Sequence, residues 1–395
     1  MRVVQRRAHV LHLWRWPSSS AGHARSARMK RAPRVFEITV IPGDGIGGEV
    51  IAEGVRVLDR ISELSGGDVS FHWVYFPWGC RHYLETGRMM DGDGLTRLQA
   101  FDAIYFGAVG WPTVPDHISL WGLRLVICQG FDQYANVRPV RLLPGVKTPL
   151  RTPPPAMEWV VVRENTEGEY AGLGGRNLSG RGPGREIALQ TSVFTEEGCE
   201  RIMRFAFNLA RTRRRKNVTS VTKSNAQQYG MVLWDEVFHR VAREYPDVET
   251  DQGLVDAMAA RFVLRPEILE VVVASNLFAD ILSDLGGALA GGLGMAPSAN
   301  LNPERRHPSM FEPVHGSAPD IAGQGIANPI GAIWSAALML EHLGLADEAG
   351  RVMQAIIATT SAGEVTPDIG GRCTTRQVGD AIVARLSGPL ELSNR

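Results

Sequence analysis

Short apolar runs rich in β-branched and aromatic residues alternate along this chain with longer segments that have apolar residues at helical spacing. Residues 35–42 (VFEITVIP) form such a run, GDGIGGEV follows it, and IAEGVRVLDRI then shows the helical spacing. The runs at 69–76 and 101–110 predict two more strands, and the second of them also ends in glycines. We therefore predict strands that end in glycine turns, where open parallel sheets bind their ligands.

The second half of the chain continues this alternation. A proline-dense loop at 144–156 precedes a β-rich run at 158–165, and residues 199–216 have helical spacing with a basic end. That basic end suits a helix C-terminus, and no aromatic residues interleave it as they would in a nucleic-acid patch. Residues 330–343 predict a long amphipathic helix.

The apolar segment SNLFADILSDLGGALAGGLG, residues 275–294, carries three oxygen-bearing side chains at intervals of four. Asn276, Asp280 and Asp284 would lie on one face of a helix. Asp256, in LVDAMAARF, adds a carboxylate, and oxygen ligands without softer donors are what Mg²⁺ or Mn²⁺ prefers. Because a buried carboxylate is costly unless it is paired or metal-bound, this face predicts a divalent metal site. Simple exposure of these acids to solvent is the alternative.

Three positively charged residues stand at the ends of strand-like or loop runs, where function is often found: Arg138 in NVRP, Arg163 in VVVREN and Lys223 in VTKSN. Each planar guanidinium matches the two oxygens of a carboxylate, and Lys223 could act as a point charge or as a base. Surface salt bridges are the alternative for any one of them alone. Together with the acidic face, they predict a metal ion between the protein and an anionic substrate.

Composition limits the possible partners. The 395 residues suit two lobes, and Lys plus Arg equals Asp plus Glu at 42 each, so no global charge favours nucleic acid or a membrane surface. No apolar run reaches the roughly 18 residues of a membrane helix. The four cysteines form no CxxC pair, which fits a reducing compartment. We expect a cytoplasmic protein that acts on a small molecule.

The first 34 residues differ from the rest of the chain, with nine Lys or Arg and no acid. We favour translation from Met29, which would make most of this segment a start-site artefact. A transit peptide, which is also rich in Arg and Ser and poor in acids, and a disordered tail are the alternatives. In each case we expect residues 1–34 to be an extension outside the folded domain.

Six segments occur in an order typical of one enzyme family: IPGDGIGGEV, VVVRENTEGEYAG, VTKSNAQ, LVDAMAARF, NLFADILSDLGG and FEPVHGSAPDIAGQGIANP. They resemble the motifs of the β-decarboxylating 2-hydroxy-acid dehydrogenases, which include isocitrate, isopropylmalate, D-malate and tartrate dehydrogenases. VPDHISLWGLRLVICQGFDQYANVRP is most similar to the tartrate and D-malate branch. The resemblance implies an α/β fold with a two-lobed open sheet and not an ordinary Rossmann fold. GDGIGG indeed lacks the GxGxxG fingerprint.

The resemblance also implies domain boundaries and residue roles. A large dinucleotide-binding lobe would comprise 35–133 and 290–395, and a small lobe, 134–289, would carry the dimer interface and the metal site. Tyr170 would protonate the enol, and Lys223 would help to take the proton of the substrate hydroxyl. Asp256, Asp280 and Asp284 would bind Mg²⁺ or Mn²⁺. In the family Lys223 and Asp256 come from a second subunit, which implies a homodimer with shared active sites.

Residues 315–323 (HGSAPDIAG) would wrap the adenosine half of a dinucleotide. A carboxylate at Asp320 can accept hydrogen bonds from free ribose hydroxyls and would repel a 2′-phosphate, so we expect NAD⁺. The resemblance leaves a monovalent cation activator open. The residues that it assigns to the cofactor are Asn225, near the nicotinamide, and His315, Gly316, Ser317, Ala318, Asp320 and Asn328.

One position departs from the family pattern. Arg138 and Arg163 match arginines that hold substrate carboxylates, but many relatives carry another arginine ten positions before Arg138, where this chain has Cys128. Arg124, one helical turn earlier, is the candidate replacement. VPDHISLWGL also differs from the apolar helix that recognises an isopropyl group, which favours a small diacid.

We expect NAD- and metal-dependent oxidation of tartrate or D-malate, with or without decarboxylation. Isopropylmalate or isocitrate oxidation, and a catalytically silent nucleotide- or metal-binding protein, are the alternatives.

Overall fold

The computed structural model describes residues 33–154 and 156–388, so residues 1–32 of the predicted extension lie outside the described residues. The strands are β1 (Arg34–Gly43), β2 (Val69–Tyr75), β3 (Ala103–Ala108), β4 (Ala135–Arg141), β5 (Glu158–Glu164), β6 (Gly168–Asn177), β7 (Ile187–Val193), β8 (Asn217–Thr222), β9 (Glu249–Leu254), β10 (Val271–Ala274), β11 (Pro297–Leu301) and β12 (Ser309–Pro313). The helices are α1 (Gly47–Leu64), α2 (Cys80–Thr86), α3 (Gly94–Leu98), α4 (Asp116–Ser119), α5 (Leu125–Gly130), α6 (Glu196–Arg211), α7 (Gly230–Ala242), α8 (Val255–Leu264), α9 (Asn276–Leu289), α10 (Ile330–His342), α11 (Ala346–Ser361) and α12 (Thr375–Arg385).

A ten-stranded sheet runs through the molecule in the order β2-β1-β3-β12-β11-β4-β5-β10-β8-β9. Pairing is parallel on both flanks, whereas β11 is antiparallel to β12 and β4, and β4 is antiparallel to β5. An ordinary Rossmann sheet is mostly parallel and has a different strand order. The predicted α/β fold, an open sheet distinct from that fold, is confirmed.

The two halves of the sheet come from different parts of the chain. Strands of 35–133 and 290–395 build the half from β2 to β11, and strands of 134–289 build the half from β4 to β9. The pairing of β11 with β4 joins them, with Ala299 opposite Val137. The predicted division into two lobes coincides with this junction and stays a prediction.

The strands are buried where helices cover both faces of the sheet. Residues 271–274 (VVVA) and 159–163 are fully buried, and such continuous apolar runs are typical of a sheet covered on both sides. The same cover explains α10, which is buried along its whole length between α1, α11 and the sheet. The prediction of an amphipathic helix at 330–343 is therefore wrong, because this helix has no solvent face.

Helix α6 begins earlier than the sequence pattern predicts. The Thr195 side chain accepts a hydrogen bond of 2.9 Å from the Gly198 amide and caps the helix, and Glu196 and Glu197 lie in its first turn. The helix ends at Arg211, before the basic run. No helix in the described residues is long and apolar enough to cross a membrane.

Candidate active site

Helix α9 presents its predicted polar face to two buried arginines. The Asn276 side-chain oxygen accepts hydrogen bonds of 2.9 and 2.7 Å from Nε and Nη2 of Arg163. Arg163 Nη1 also pairs with Asp280, and Arg138 Nη1 lies 3.0 Å from Asp280 and 3.6 Å from Asp284. The interval of four residues therefore places all three oxygen-bearing side chains on one face of the helix. Within a single chain, these side chains contact arginines.

Glu169 fixes the beginning of helix α9. Its carboxylate accepts hydrogen bonds of 3.0 Å from the Ser275 hydroxyl and of 3.0 Å from the Leu277 amide. An acid at this position satisfies a free amide of the first turn and interacts favourably with the helix dipole. Strand β6, which contains Glu169, thereby sets the position of the Asp280 face.

Asp280 is held as an anion. Its burial by itself would raise its pKa, but Arg163 and Arg138 outweigh burial and hold the pKa at about 2. Burial raises the pKa of Asp284, an effect that Arg138 only partly offsets. Burial also lowers the pKa of Arg163 to about 10 against the opposing effect of Asp280. Asp280 is thus deprotonated at neutral pH, the form in which a carboxylate binds a metal.

Tyr170 completes this cluster from strand β6. Its hydroxyl donates a hydrogen bond of 3.2 Å to Asp280, and the Arg163 guanidinium lies 5.3 Å from the centre of its ring. Gln129 holds the Tyr170 carbonyl with a hydrogen bond of 3.1 Å. Burial and the Asp280 carboxylate raise the pKa of Tyr170, so the phenol keeps its proton at neutral pH.

Arg124 reaches the same place from a π-helical turn, Leu120–Arg124, between α4 and α5. The Arg124 guanidinium is buried and bonds through Nε, at 2.8 Å, and Nη2, at 2.7 Å, to one oxygen of Glu312. Asn300 accepts a further bond of 3.2 Å from Nη2 and donates one of 2.7 Å to Glu312. Burial would lower the pKa of Arg124, but Glu312 raises it, so the arginine stays charged. Cys128, on α5, is fully buried, and burial raises the pKa of its thiol to about 11.

These side chains line one cavity with a volume of about 210 Å³. A cavity of this size suits a ligand smaller than the drug-sized molecules that typical pockets hold. Glu312 was missed in the sequence, although it is the acid within the buried strand β12. The predicted site residues that line the cavity are Arg124, Arg138, Arg163, Tyr170, Asp280, Asp284, His315 and Gly316.

Lys223 and Asp256 do not reach this cavity within one chain. Lys223 Nζ instead donates a hydrogen bond of 2.8 Å to Asp256, which lowers the pKa of that carboxyl, and Asn225 is exposed beside them. Among the residues that the structure describes, no group of three or more His, Cys, Asp or Glu could hold a metal ion. One chain therefore brings together two of the three predicted metal ligands, Asp280 and Asp284, and leaves Asp256 apart.

The glycine turn GDGIGG supports the loop that was predicted to hold the cofactor. The Ile46 amide donates a hydrogen bond of 2.9 Å to the Ser317 carbonyl, and a Cβ at Gly45 would lie 2.0 Å from that oxygen, so only glycine fits. Glu49 accepts hydrogen bonds of 2.6 and 3.1 Å from the amides of Gly323 and Gly325. These contacts, which the sequence did not reveal, hold residues 315–325 against the start of α1.

One histidine and one asparagine side chain of this region are buried. His315 Nδ1 lies 2.9 Å from the Gly316 carbonyl, and burial lowers the pKa of the ring. His315 Nε2 is buried without a hydrogen-bond partner in the described part of the chain, which fits a polar atom of a ligand. Asn328 has structural partners instead, since its side chain donates to Asp368 at 3.0 Å and accepts from the Ile330 amide at 3.0 Å. The remaining predicted cofactor residues, Ala318 and Asp320, lie on the same loop, with Asp320 exposed.

Residues 37–382 match the isocitrate/isopropylmalate dehydrogenase family. The chain belongs to this family. It is 58% identical over 356 residues to a probable tartrate dehydrogenase/decarboxylase of Agrobacterium vitis, covering 90% of this chain and 97% of that relative. It is 53% identical over 356 residues to a D-malate dehydrogenase (decarboxylating) of Escherichia coli K12, covering 88% and 98%. The solved isocitrate dehydrogenase from Methylococcus capsulatus matches with a TM-score of 0.81 and 36% identity, over 89% of this chain and all 100% of that one.

Family membership confirms the resemblance that the six motifs predicted, together with the fold and the enzyme class. The chain is a dehydrogenase of the isocitrate/isopropylmalate type. The individual site residues, the cofactor, the metal and the homodimer stay predictions.

Proposed function

We propose that this protein oxidises a small 2-hydroxy diacid, tartrate or D-malate, with or without decarboxylation, and that it depends on NAD⁺ and a divalent metal. The observation that carries the proposal is the single cavity in which three arginines face two aspartates and a tyrosine. Three guanidiniums suit a substrate with two carboxylates, because each matches two oxygens of a carboxylate. The names of the relatives from Agrobacterium vitis and Escherichia coli support the same substrate class.

The carboxylates of the diacid would bind Arg138 and Arg163, with Arg124 on the third side. Without substrate, Arg138 and Arg163 pair with Asp280, and Arg138 lies 3.0 Å from it. A substrate carboxylate would therefore meet arginines that already have an acid partner. A compact diacid fits the cavity volume of about 210 Å³. Glu312 would not bind the substrate but would hold Arg124 in place.

Asp280 and Asp284 would hold the divalent metal, and Asp256 from a second copy of the chain would be the third ligand. The deprotonated state of Asp280 and the oxygen-only donors fit Mn²⁺ or Mg²⁺. When bound, such an ion polarises the substrate oxygens and stabilises negative charge that develops on them. Asp280 would then bind the ion in place of Arg138 and Arg163. The substrate carboxylates would pair with these two arginines instead.

Proton transfer would be divided between two residues. Lys223 from a second copy would help to take the proton of the 2-hydroxyl, and NAD⁺, when bound, would supply the hydride acceptor. Tyr170, whose hydroxyl stays protonated in this site, would deliver a proton to the enol carbon after CO₂ has left. With D-malate the products are pyruvate, CO₂ and NADH.

The dinucleotide would lie against residues 315–325. His315 Nε2, which has no partner in the described residues, would meet a polar atom of the cofactor, and the exposed Asp320 would accept hydrogen bonds from the adenosine ribose. Asp320 would also repel the 2′-phosphate of NADP⁺, which favours NAD⁺. Asn225, beside Lys223, would approach the nicotinamide across the subunit boundary.

A homodimer would complete the site. Helices α8 and α9 pack together and expose apolar side chains, with Leu264 of α8 77% and Ile281 of α9 56% accessible. Exposed apolar surface of this kind is typical of an interface. Pairing these helices between two copies would bury both residues and bring Lys223 and Asp256 of one copy towards Asp280 of the other.

We also propose two lobes, one formed by residues 35–133 together with 290–395 and the other by residues 134–289. We further propose that the enzyme is cytoplasmic.

The test is NADH formation by the purified full-length chain with Mn²⁺ and NAD⁺ on D-malate, L-tartrate, meso-tartrate, isopropylmalate and isocitrate. We expect the highest kcat/KM for D-malate or a tartrate, and no activity for Asp280→Asn on any of the five. A preference for isopropylmalate or isocitrate would overturn the substrate but keep the reaction. Bound NAD⁺ without turnover of any acid would favour the catalytically silent binding protein.

A further inference from the structure

A second cavity, with a volume of about 270 Å³, shares no lining residue with the candidate active site. It lies between helix α6 and the turn that joins β11 to β12. Arg201, Arg204 and Phe205 line it from the helix, and Arg305 lines it from the turn. Neither the proposed reaction nor the proposed dimer uses this cavity, yet its lining contains three arginines and only one acid, Glu304.

Within the part of the chain that the structure describes, Arg305 is the cation of this cavity that lacks a carboxylate partner. Its Nη2 donates a hydrogen bond of 2.6 Å to the His342 carbonyl, and no acid of the described residues lies within ion-pair distance of it. Arg204, by contrast, is neutralised by Glu200 at 2.7 Å and by both oxygens of Glu244 at 2.8 Å. The backbone of Arg305 has a φ of +56°, a conformation that a non-glycine residue rarely adopts. The turn therefore has an unusual backbone shape, and it places in the lining of the cavity a guanidinium that is free of an acid partner among the described residues.

Arg201 adds a donor that no atom of the described residues accepts. Its Nη1 bonds to Asp132 at 2.9 Å and its Nη2 to Thr166 at 2.8 Å, while the guanidinium lies 4.2 Å from the ring centre of Tyr134. Its Nε is buried and has no hydrogen-bond partner among the described residues. A buried donor of this kind is rare without an acceptor, which a ligand can supply.

Among the other described lining groups, the Glu304 carboxylate is the one that opposes an anion, and solvent screens its charge. One oxygen of Glu304 accepts a hydrogen bond of 2.8 Å from the Tyr134 hydroxyl, and Glu304 itself is exposed. Burial lowers the pKa of His342 to about 3, helped by Arg305, so this ring is neutral at pH 7. Phe205, Leu301 and the Pro303 ring supply an apolar wall.

We propose that this cavity is a second binding site, specific for a small organic monocarboxylate with an apolar or aromatic body. The carboxylate would accept hydrogen bonds from Arg305 and from Arg201 Nε, and the apolar body would pack on Phe205 and Leu301. A single free guanidinium matches one negative charge, and a planar carboxylate fits it better than a point charge does. The volume of about 270 Å³ admits a ring with one substituent.

Calorimetric titration of the full chain with benzoate, at constant ionic strength and pH 7.5, tests this site. Benzamide, which has the same shape without the charge, and inorganic phosphate, which has charge without the ring, are the comparison ligands. Arg305→Asn removes the free guanidinium, and asparagine tolerates the positive φ better than most residues. Arg306→Asn is the matched control, because Arg306 is the exposed neighbour, carries the same charge and does not line the cavity.

We expect benzoate to bind one site per chain, with an affinity that falls at least tenfold in Arg305→Asn and changes less than twofold in Arg306→Asn. Benzamide and phosphate should bind at least tenfold more weakly than benzoate. Absence of benzoate binding, equal losses in the two variants, or phosphate binding as tightly as benzoate would each overturn the proposal. Because the readout is heat of binding and Arg305 lies outside the active site, the result does not depend on which acid the enzyme oxidises.

Discussion

Arg124 and Glu312 form a buried ion pair beside the candidate active site, with 2.7 Å between Arg124 Nη2 and the Glu312 carboxylate. The two residues are 188 positions apart in the chain. Cys128 lies one helical turn after Arg124, at the position where the family resemblance implies a further substrate arginine. Arg124 is the third guanidinium in the lining of the cavity, and an acid from strand β12 anchors it; its role as the replacement substrate arginine stays a prediction.

Arg124→Gln should weaken the binding of the diacid. Loss of a charge-assisted contact costs about 1.5–3 kcal/mol, so KM should rise by about ten- to a hundredfold with a smaller change in kcat. The variant also leaves Glu312 buried without its partner, which should lower Tm because broken buried pairs cost about 3–5 kcal/mol. Steady-state kinetics and a thermal melt measure both effects.

The double variant Arg124→Gln with Cys128→Arg is the control for that experiment. It returns a guanidinium to the same helix one turn away, so most of the loss in KM should be recovered. Arg211→Gln, which breaks an exposed pair with Asp247, should leave KM unchanged. An unaltered KM in Arg124→Gln would mean that Arg124 has only a structural role.

Tyr170→Phe should separate the two halves of the reaction. The ring and its contact with Arg163 remain, while the hydroxyl that donates to Asp280 at 3.2 Å is lost. Because a positioned acid contributes about 10²- to 10⁴-fold, protonation of the enol should become the slow step. Rapid mixing with D-malate should show a burst of about one NADH per site followed by slow release of pyruvate. Equal loss of the burst and of pyruvate would contradict the separate roles of Lys223 and Tyr170.

Shared active sites can be tested with mixed dimers. A chain with Lys223→Ala and a chain with Asp280→Asn should each be inactive alone. Co-expression with two different tags and purification of the heterodimer should restore about half of the wild-type activity, because one site then contains intact Asp280 and an intact Lys223 from the other chain. A heterodimer of two differently tagged Lys223→Ala chains serves as the control. Lack of any recovery would place Lys223 and Asp280 of one chain in the same site.

Asp320 should determine the choice of dinucleotide. Asp320→Lys would remove the proposed acceptor for the ribose hydroxyls and would introduce a partner for a 2′-phosphate. We expect kcat/KM for NAD⁺ to fall at least tenfold, and the preference for NAD⁺ over NADP⁺ to fall further, while KM for the diacid stays within about twofold. Comparable turnover of both dinucleotides by the unaltered enzyme would already refute the role of Asp320.

Glu341 should make stability depend on pH. It is buried in α10, and burial raises its pKa from 4.5 to about 9. The folded chain therefore holds a proton that the unfolded chain has lost above pH 4.5, so this group destabilises the fold increasingly as the pH rises from 4.5 towards 9. Glu341→Gln should raise the free energy of unfolding at pH 8 by about 4 kcal/mol more than at pH 5, since the two conditions differ by about three pH units and each unit equals about 1.4 kcal/mol. Thermal melts at both pH values measure this; a gain that is the same at pH 5 and pH 8 would show that Glu341 is ionised in the fold.

The sequence by itself determined the local elements and the family. The alternation of apolar runs with glycine turns predicted the strands β1 and β3, and the interval of four predicted that Asn276, Asp280 and Asp284 share one helix face. These features depend on periodicity over a few residues, which backbone geometry fixes without knowledge of the rest of the chain. The ordered motifs predicted the dehydrogenase class for the same reason, because each motif is contiguous.

Only the tertiary structure decided which distant residues meet. The strand order brings Glu312 to Arg124 and buries α10 on all sides, and neither contact leaves a periodic signal in the sequence. It also places Asp256 with Lys223 and away from Asp280, and it opens the second cavity around Arg305. Such contacts depend on how the sheet is ordered and on which helices cover it, so they arise from packing between segments that are far apart in the chain.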